Sequence, residues 1–450
     1  MNWRKPVFKL IMYLAGYRVG SYLRFLESIE YSSPEELQAL QDQALCRLLL
    51  HAYENVPYYS EILPAAGVVT DGKVDLSNFA NIPILTKDII RQEGERMYSK
   101  DRKHRKAYRN SSGGSTGQPV VLLQDRDYQA WGFAGRFLFN LWAGKDVGES
   151  ELKLWGSERD VLQGGEKLST RLRRWIFNVD LLCTYRMSRS DMSKHIERWN
   201  SARPKMVWAY TDSMFKLSQF VESEKLEVYS PAGIVCTTSA LRQDVREHIE
   251  RTFKCKVFDQ YGSREVGPVS AECSAQEGMH IFSMNQKVEI LDSHGQAVSG
   301  EDMGEIIVTN LRNYSMPLIR YEIGDTACFS DKQCSCGRVL PLLKEISGRV
   351  FSHFVKKDGS LVHAQFFVGL MFFRSWIREF KIIQKKYDLI EVLVANEGEP
   401  DENDIDEIVG KIKQVMGQDC HVEFVFVDEV PPSASGKYLY TVSEVESNKS

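Results

Sequence analysis

From Val120 to Phe253 short apolar runs alternate with amphipathic stretches, and this alternation narrows the folds open to the chain. "VVLL" (120–123) and "AGIVCTTSA" (232–240) have the length and branched side chains of buried strands. "RQDVREHIERTF" (242–253) has helical spacing. A strand that feeds a loop and then a helix is the repeating unit of an α/β domain. Strand signals return at "QKVEILD" (286–292) and "GEIIVTN" (304–310), joined by the turn-rich "SHGQAVSGEDM" (293–303). Before all of these, residues 35–55 carry Leu37, Leu40, Leu48 and Leu49 near helical spacing, and Pro57 ends the run.

The chain has 450 residues, beyond the roughly 250–300 at which a single core stops growing. A boundary is expected near "SGRV" (347–350). The expected architecture is a large N-terminal α/β domain over 1–347, with a helical extension at 1–60, and a small mobile α+β domain over 348–450. In the latter, "FKIIQKKYDLIEVLVA" predicts two strands, "DENDIDEIVGKIKQVMG" an amphipathic helix and "HVEFVFVDEVP" a last strand.

Charge and composition exclude some partners. A net charge of −4 argues against nucleic acid, which needs a basic face. No run approaches the ~18 apolar residues of a membrane span. The aromatic, basic "KPVFKLIMYLAGYRVGSYLRFL" (5–26) is interrupted by Lys9, Arg18 and Arg24 and has no small-residue cleavage site. It reads as an amphipathic helix packed on the domain, with peripheral membrane contact as the alternative. Nine cysteines, an odd number, point to a reducing cytoplasm. A monomer and a homodimer stay open.

The most informative short stretch is "NSSGGSTGQPVVLL" (110–123). Gly113–Gly117 matches G-x-S-x-G, but that motif needs a strand before it and a helix after it. Charged residues precede it here and an apolar strand comes next. A Walker-type loop would end in Gly-Lys-Ser/Thr, whereas Gly117 precedes Gln118 and Pro119. There remains a loop able to bind anions: glycines allow close backbone approach, and Ser111, Ser112, Ser115 and Thr116 can donate to phosphate oxygens. Four further stretches occur in order: "DQYGSREVG" (259–267) with Glu265, "IRYEIGDTA" (319–327) with Asp325, "SGRV" with Arg349, and "PPSASGKYLY" (431–440) with Lys437.

In that order and spacing the chain resembles the adenylate-forming superfamily, and within it the phenylacetate–CoA ligase and capsule-biosynthesis (CapK-like) branch. "HAYENVPYYSEIL" (51–63) and "IPILTKDII" (82–90) add to the likeness, which spans roughly 35–445. The resemblance implies an AMP-forming ligase that joins a carboxylate to the α-phosphorus of ATP and passes the acyl group to a thiol, usually that of coenzyme A. Such a step brings anions together and needs charge neutralisation more than acid–base work. By that pattern Ser111, Ser112, Gly113, Gly114, Ser115, Thr116 and Gly117 hold phosphates. Glu265 holds Mg²⁺, and Gln260, Tyr261, Gly262 and Ser263 border the nucleotide. Asp325 accepts from the ribose hydroxyls, Arg349 lies near ribose and phosphate, and Lys437 bridges the carboxylate and α-phosphate. Phe351 departs from the pattern, standing where the superfamily often has an Asp or Lys hinge.

The acid, whether aryl, fatty or amino acid, is expected between residues 130 and 265, with aromatics of 128–144 and 207–215 as wall or core. Two other classes stay open: an adenylating transferase or amide ligase of surface-polysaccharide synthesis that uses no coenzyme A, and a non-catalytic nucleotide-binding homologue. Cys273, His280, Cys334 and Cys336 supply three thiolates and an imidazole for a structural zinc site. Similar sets in relatives favour that reading over unrelated thiols.

Overall fold

The computed structural model describes residues 2–111, 120–155, 168–184, 187, 189–239, 241–292, 294–298, 300–347, 353–371, 374, 376–428, 430 and 441–445. The chain starts with helices α1 (Arg4–Leu14), α2 (Val19–Ile29), α3 (Pro34–Asn55) and α4 (Pro57–Ala65). α3 begins as its sequence predicts: Ser33 Oγ accepts the Glu36 amide at 3.1 Å and Pro34 occupies the first turn. A small hairpin of β1 (Val69–Thr70) and β2 (Lys73–Val74) leads to α5 (Lys87–Glu93), capped by Thr86.

β3 (Tyr108–Ser111) and β4 (Val121–Gln124) pair antiparallel, from Tyr108 opposite Gln124 to Ser111 opposite Val121. A strand therefore does precede the glycine–serine loop, contrary to the sequence reading. The charges of "DRKHRKAYRN" hide it because β3 is a half-exposed hairpin arm with no buried face to mark it. The loop leads into β4 and not into a helix, so the serine-hydrolase turn is still excluded.

The long α6 (Arg126–Trp142) is capped by Asp125, which accepts the Tyr128 amide at 2.9 Å. Then come β5 (Glu151–Trp155), α7 (Leu168–Phe177), β6 (Val179–Cys183), α8 (Arg189–Ala202), β7 (Met206–Tyr210), α9 (Thr211–Ser223), β8 (Gly233–Thr237), α10 (Gln243–Phe253) and β9 (Lys256–Ser263). These five strands are parallel, in the order β6-β5-β7-β8-β9. From β9 the chain turns back into antiparallel β10 (Gly267–Glu272), β11 (Met279–Ile281), β12 (Gln286–Leu291), β13 (Gly304–Asn310), β14 (Tyr321–Phe329) and β15 (Leu342–Ser347), which complete one mixed sheet. The predicted strands at 286–292 and 304–310 are β12 and β13.

Beyond residue 352, β16 (His353–Val355) and β17 (Leu361–His363) form a hairpin followed by α11 (Ala364–Met371). A separate sheet holds β18 (Ile377–Lys386), β19 (Leu389–Asn396), β20 (His421–Phe426) and β21 (Thr441–Ser443), with α12 (Glu402–Met416) between β19 and β20. Phe366, Phe367, Ile382, Val392, Ile408 and Ile412 make a core of their own there. The whole is the mixed α/β arrangement expected. Among the described residues no helix is long and apolar enough to cross a membrane.

Candidate active site

Parallel strands bring their carboxyl ends to one edge of the sheet, and a crevice there is the usual place for a ligand. A cavity of about 670 Å³ opens at that edge, bounded by Trp155 (β5), Tyr210 (β7), Thr237 (β8) and the run Asp259 to Glu265 at the end of β9. Asp325, on β14, closes its far side. Gln260, Tyr261, Gly262, Ser263, Glu265 and Asp325, predicted as nucleotide-site residues, thus line one space although 65 positions separate the first from the last. Ser111 ends β3. Ser112, Gly113, Gly114, Ser115, Thr116, Gly117, Arg349, Phe351 and Lys437 lie outside the described residues.

Gly262 is dictated by close approach. A Cβ there would lie 2.6 Å from the Gly267 carbonyl oxygen, where β10 folds back on β9. The residues on either side of Gly262 line the cavity. Tyr261 Oη donates to Asp325 Oδ2 at 2.8 Å, which fixes the carboxylate while its oxygens can accept further donors. Thr237 Oγ1 donates to Gln260 Oε1 at 3.2 Å, and Gln260 Nε2 to the Tyr261 carbonyl at 2.7 Å. Glu265 is nearly buried, and Lys87 Nζ lies 4.0 Å from its Oε1. Lys87 belongs to the "IPILTKDII" stretch, yet only the tertiary fold brings it to the cavity. Asp259, half-buried on the cavity wall, has its pKa pushed up to about 7, first by desolvation and then by the neighbouring Glu272 carboxylate.

The aromatic candidates divide by helix face. Tyr128, Phe133 and Phe139 of α6 line the cavity with Trp208 and Tyr210, while Trp131 and Trp142 pack into the core with α2. Between the wall aromatics sits Arg136, its guanidinium 4.6 Å from the Trp208 ring centre and paired with Glu151. Lys145 and Lys153 reach the same carboxylate at 3.1 and 3.8 Å. Burial opposes ionisation of Glu151, but these cations, Arg136 first, hold its pKa down at about 2. No sequence signal marked Trp155, Arg136 or this ion cluster, which forms where α6 and the connection after it meet β5.

Cys273, His280, Cys334 and Cys336 do converge: one ligand atom from each lies within 4.8 Å of all the others. Cys273 Sγ and Cys334 Sγ are 3.6 Å apart, and Cys336 Sγ is 3.3 Å from His280 Nε2. Both distances approach the tetrahedral edges of about 3.5 Å (sulfur–nitrogen) and about 3.8 Å (sulfur–sulfur) that result from zinc bonds of ~2.3 Å to sulfur and ~2.0 Å to nitrogen. His280 Nδ1 faces the Leu340 carbonyl at 3.4 Å, so the ring presents Nε2 to the thiols. Burial keeps the imidazole neutral, its pKa near 4. The donor set fits zinc. All nine cysteines are free thiols.

Among solved structures, 2-hydroxyisobutyryl-CoA ligase in complex with 2-HIB-AMP and CoA aligns over 92% of this chain and 91% of its own, with a TM-score of 0.60 at 16% identity. At that identity the likeness shows a shared fold, one consistent with the adenylate-forming resemblance of the ordered motifs. Its sequence relatives include Protein CapK of Staphylococcus aureus, 23% identical over 91% of this chain and 90% of that one. Phenylacetate-coenzyme A ligase of Escherichia coli (strain K12) is 28% identical over 72% of this chain and 74% of that one. The family described as CapK C-terminal domain matches residues 354–444. CapK and the phenylacetate–CoA ligases are thus homologues of this chain.

Proposed function

We propose that the chain activates a carboxylic acid with ATP and transfers the acyl group to a thiol, that of coenzyme A. A carboxylate oxygen attacks the α-phosphorus, pyrophosphate leaves with the bonding pair, and the acyl-adenylate then loses AMP to the incoming thiolate. The gathering of Gln260 through Glu265 and Asp325 around one cavity at the strands' carboxyl ends carries this reading. The sequence likeness to phenylacetate–CoA ligases supports it.

In this reading Tyr261 orients Asp325 toward the ribose hydroxyls. The hydroxyls and amides of Ser111 to Gly117 receive the phosphates, with Arg349 beside them. Lys437 neutralises the attacking carboxylate and the α-phosphate. Glu265, a hard oxygen donor facing the cavity, fits Mg²⁺, whose charge would offset that of the phosphates. Residues 1–347 form the adenylation domain and 348–450 a small domain that carries Lys437 to the site. The Cys273, His280, Cys334 and Cys336 set holds zinc as a structural clip joining the 330–340 loop to β10 and β11, consistent with a reducing compartment such as the cytoplasm.

Acid-dependent exchange of labelled pyrophosphate into ATP, run across aryl, fatty and amino acids, tests the reading. Exchange with none of them, at full protein folding, overturns it. Similarity to CapK over most of the chain favours a second reading, an acyl or aminoacyl transferase or amide ligase of surface-polysaccharide synthesis. Exchange without thioester formation on adding coenzyme A would select that one.

A further inference from the structure

We propose that the outer face of α1, with Trp175 of α7, docks on an anionic lipid bilayer. α1 is apolar on two sides. Its inner residues Phe8 and Met12 are buried, Phe8 against Phe137 at 5.0 Å and Phe177 at 5.2 Å between ring centres. Its outer residues Trp3, Val7, Leu10, Tyr13 and Leu14 keep the i, i+4, i+7, i+10, i+11 pattern of one helical face. They stay in water: Leu10 is 57%, Tyr13 74% and Leu14 75% exposed. Trp175, 59% exposed, extends the stripe, its ring centre 6.0 Å from that of Trp3. Six of the thirteen large hydrophobic residues exposed among the described residues therefore lie on this patch. A concentration of that kind marks an interaction surface.

The helix cannot turn the stripe inward. Lys5 Nζ pairs with Asp146 at 2.5 Å and Asn2 Nδ2 donates to the Val147 carbonyl at 2.8 Å at one end. Just past the other end Tyr17 Oη donates to Gln129 at 2.7 Å.

Charge identifies the occupant. Arg4, Lys5, Lys9, Arg18 and Arg24 fall in the first 26 residues, which contain no Asp or Glu, in a chain of net charge −4. Arg4 lies over both the Trp3 and Trp175 rings, at 4.7 and 5.7 Å. Beside Trp175 a groove of about 410 Å³ is bordered by Arg171 and Arg174, and by Arg198, which is paired with Asp180. Tryptophan and tyrosine rimmed by arginine and lysine suit the headgroup layer, where cations meet lipid phosphates. A second copy would set two basic faces against each other across a two-fold axis, and like charges there repel. Because Gln129 also lines the cavity, docking would hold the mouth of the site close to the bilayer.

Co-sedimentation of the full chain with phosphatidylcholine vesicles, with and without phosphatidylglycerol, tests the proposal. Binding is expected only with phosphatidylglycerol and should weaken as salt rises from about 0.1 M to about 0.5 M. Leu10→Glu and Leu14→Glu, at exposed positions away from the cavity, should each lower the partition coefficient at least about tenfold and leave far-ultraviolet circular dichroism unchanged. No binding to the anionic vesicles, or equal binding by folded variants, would overturn it. So would a dimer, seen by light scattering, that Leu10→Glu splits, since the face would then belong to a second copy.

Discussion

Asp259→Asn is the substitution whose outcome is tied most directly to the site's geometry. The aspartate is half-buried beside the Glu272 carboxylate, and its pKa stands at about 7 against an ordinary 3.8. Arg246 donates to Glu272 at 2.7 and 2.9 Å and offsets only part of the repulsion. Between these two pKa values the folded chain keeps a proton that the unfolded chain releases. Stability must then fall as pH rises from about 4 to about 7. Each unit is worth about 1.4 kcal/mol, so roughly three units amount to about 4 kcal/mol at most. Asparagine keeps the shape and removes the ionisation, so this slope should vanish from the variant. The assay is urea unfolding of both proteins at a series of pH values from about 5 to about 8, with hydrogen exchange at the β9 amides to localise the effect. The variant should gain on the wild type by about 2–3 kcal/mol across that range, which covers two of the three units. A gap between the two proteins that does not move with pH would refute the protonated aspartate.

Three other substitutions test the site as a set. Lys437→Ala should lower acid-dependent pyrophosphate exchange ~10²–10³-fold with ATP binding largely kept; near-normal exchange would remove the lysine from the adenylation step. Tyr261→Phe deletes the donor to Asp325 and should raise the KM for ATP about 5–10-fold with a smaller change in kcat, read from initial rates at saturating acid. Cys336→Ser should abolish stoichiometric zinc, measured by elemental analysis of protein purified without chelator, and lower Tm by several degrees; wild-type protein free of zinc would sink the site.

Much of this was legible in the sequence where the local signal and the tertiary role coincide. The apolar runs at 120–123 and 232–240 are strands, "RQDVREHIERTF" is a helix, and the aromatic–glycine pair at 261–262 does border the cavity, though it lies in β9 and the turn comes at 264–266. β3 was illegible because its side chains are mostly polar and half exposed and follow a charged run, so pairing with β4, not burial, makes it a strand. Lys87 and Arg136 were illegible as site residues for another reason. Each sits on a helix whose pattern reports only which face is buried, and their proximity to Glu265 and Glu151 depends on packing across long sequence separations. α1 shows the limit of pattern reading most plainly. Taking it as a packed amphipathic helix captures Phe8 and Met12 but leaves the opposite stripe without an explanation.

On the proposed reading, the charges around the cavity bear on which residues govern the chemical step. Lys87, Arg136 and Arg264 face Glu265 and Asp325 there, and Arg136 is already engaged by Glu151. Were Asp259 ionised as well, the wall would repel a nucleotide that brings several negative charges to meet a carboxylate. A proton on Asp259 removes that repulsion without adding a cation. On the proposed reading the remaining neutralisation comes from the amides and hydroxyls of 112–117, a cation at Glu265, Arg349 and Lys437. A cavity near charge balance admits ATP, yet gives the α-phosphate and the attacking carboxylate no common cation of its own. Lys437 should therefore govern the chemical step more than ATP binding, and a chain ending near residue 347 should bind nucleotide but catalyse little exchange.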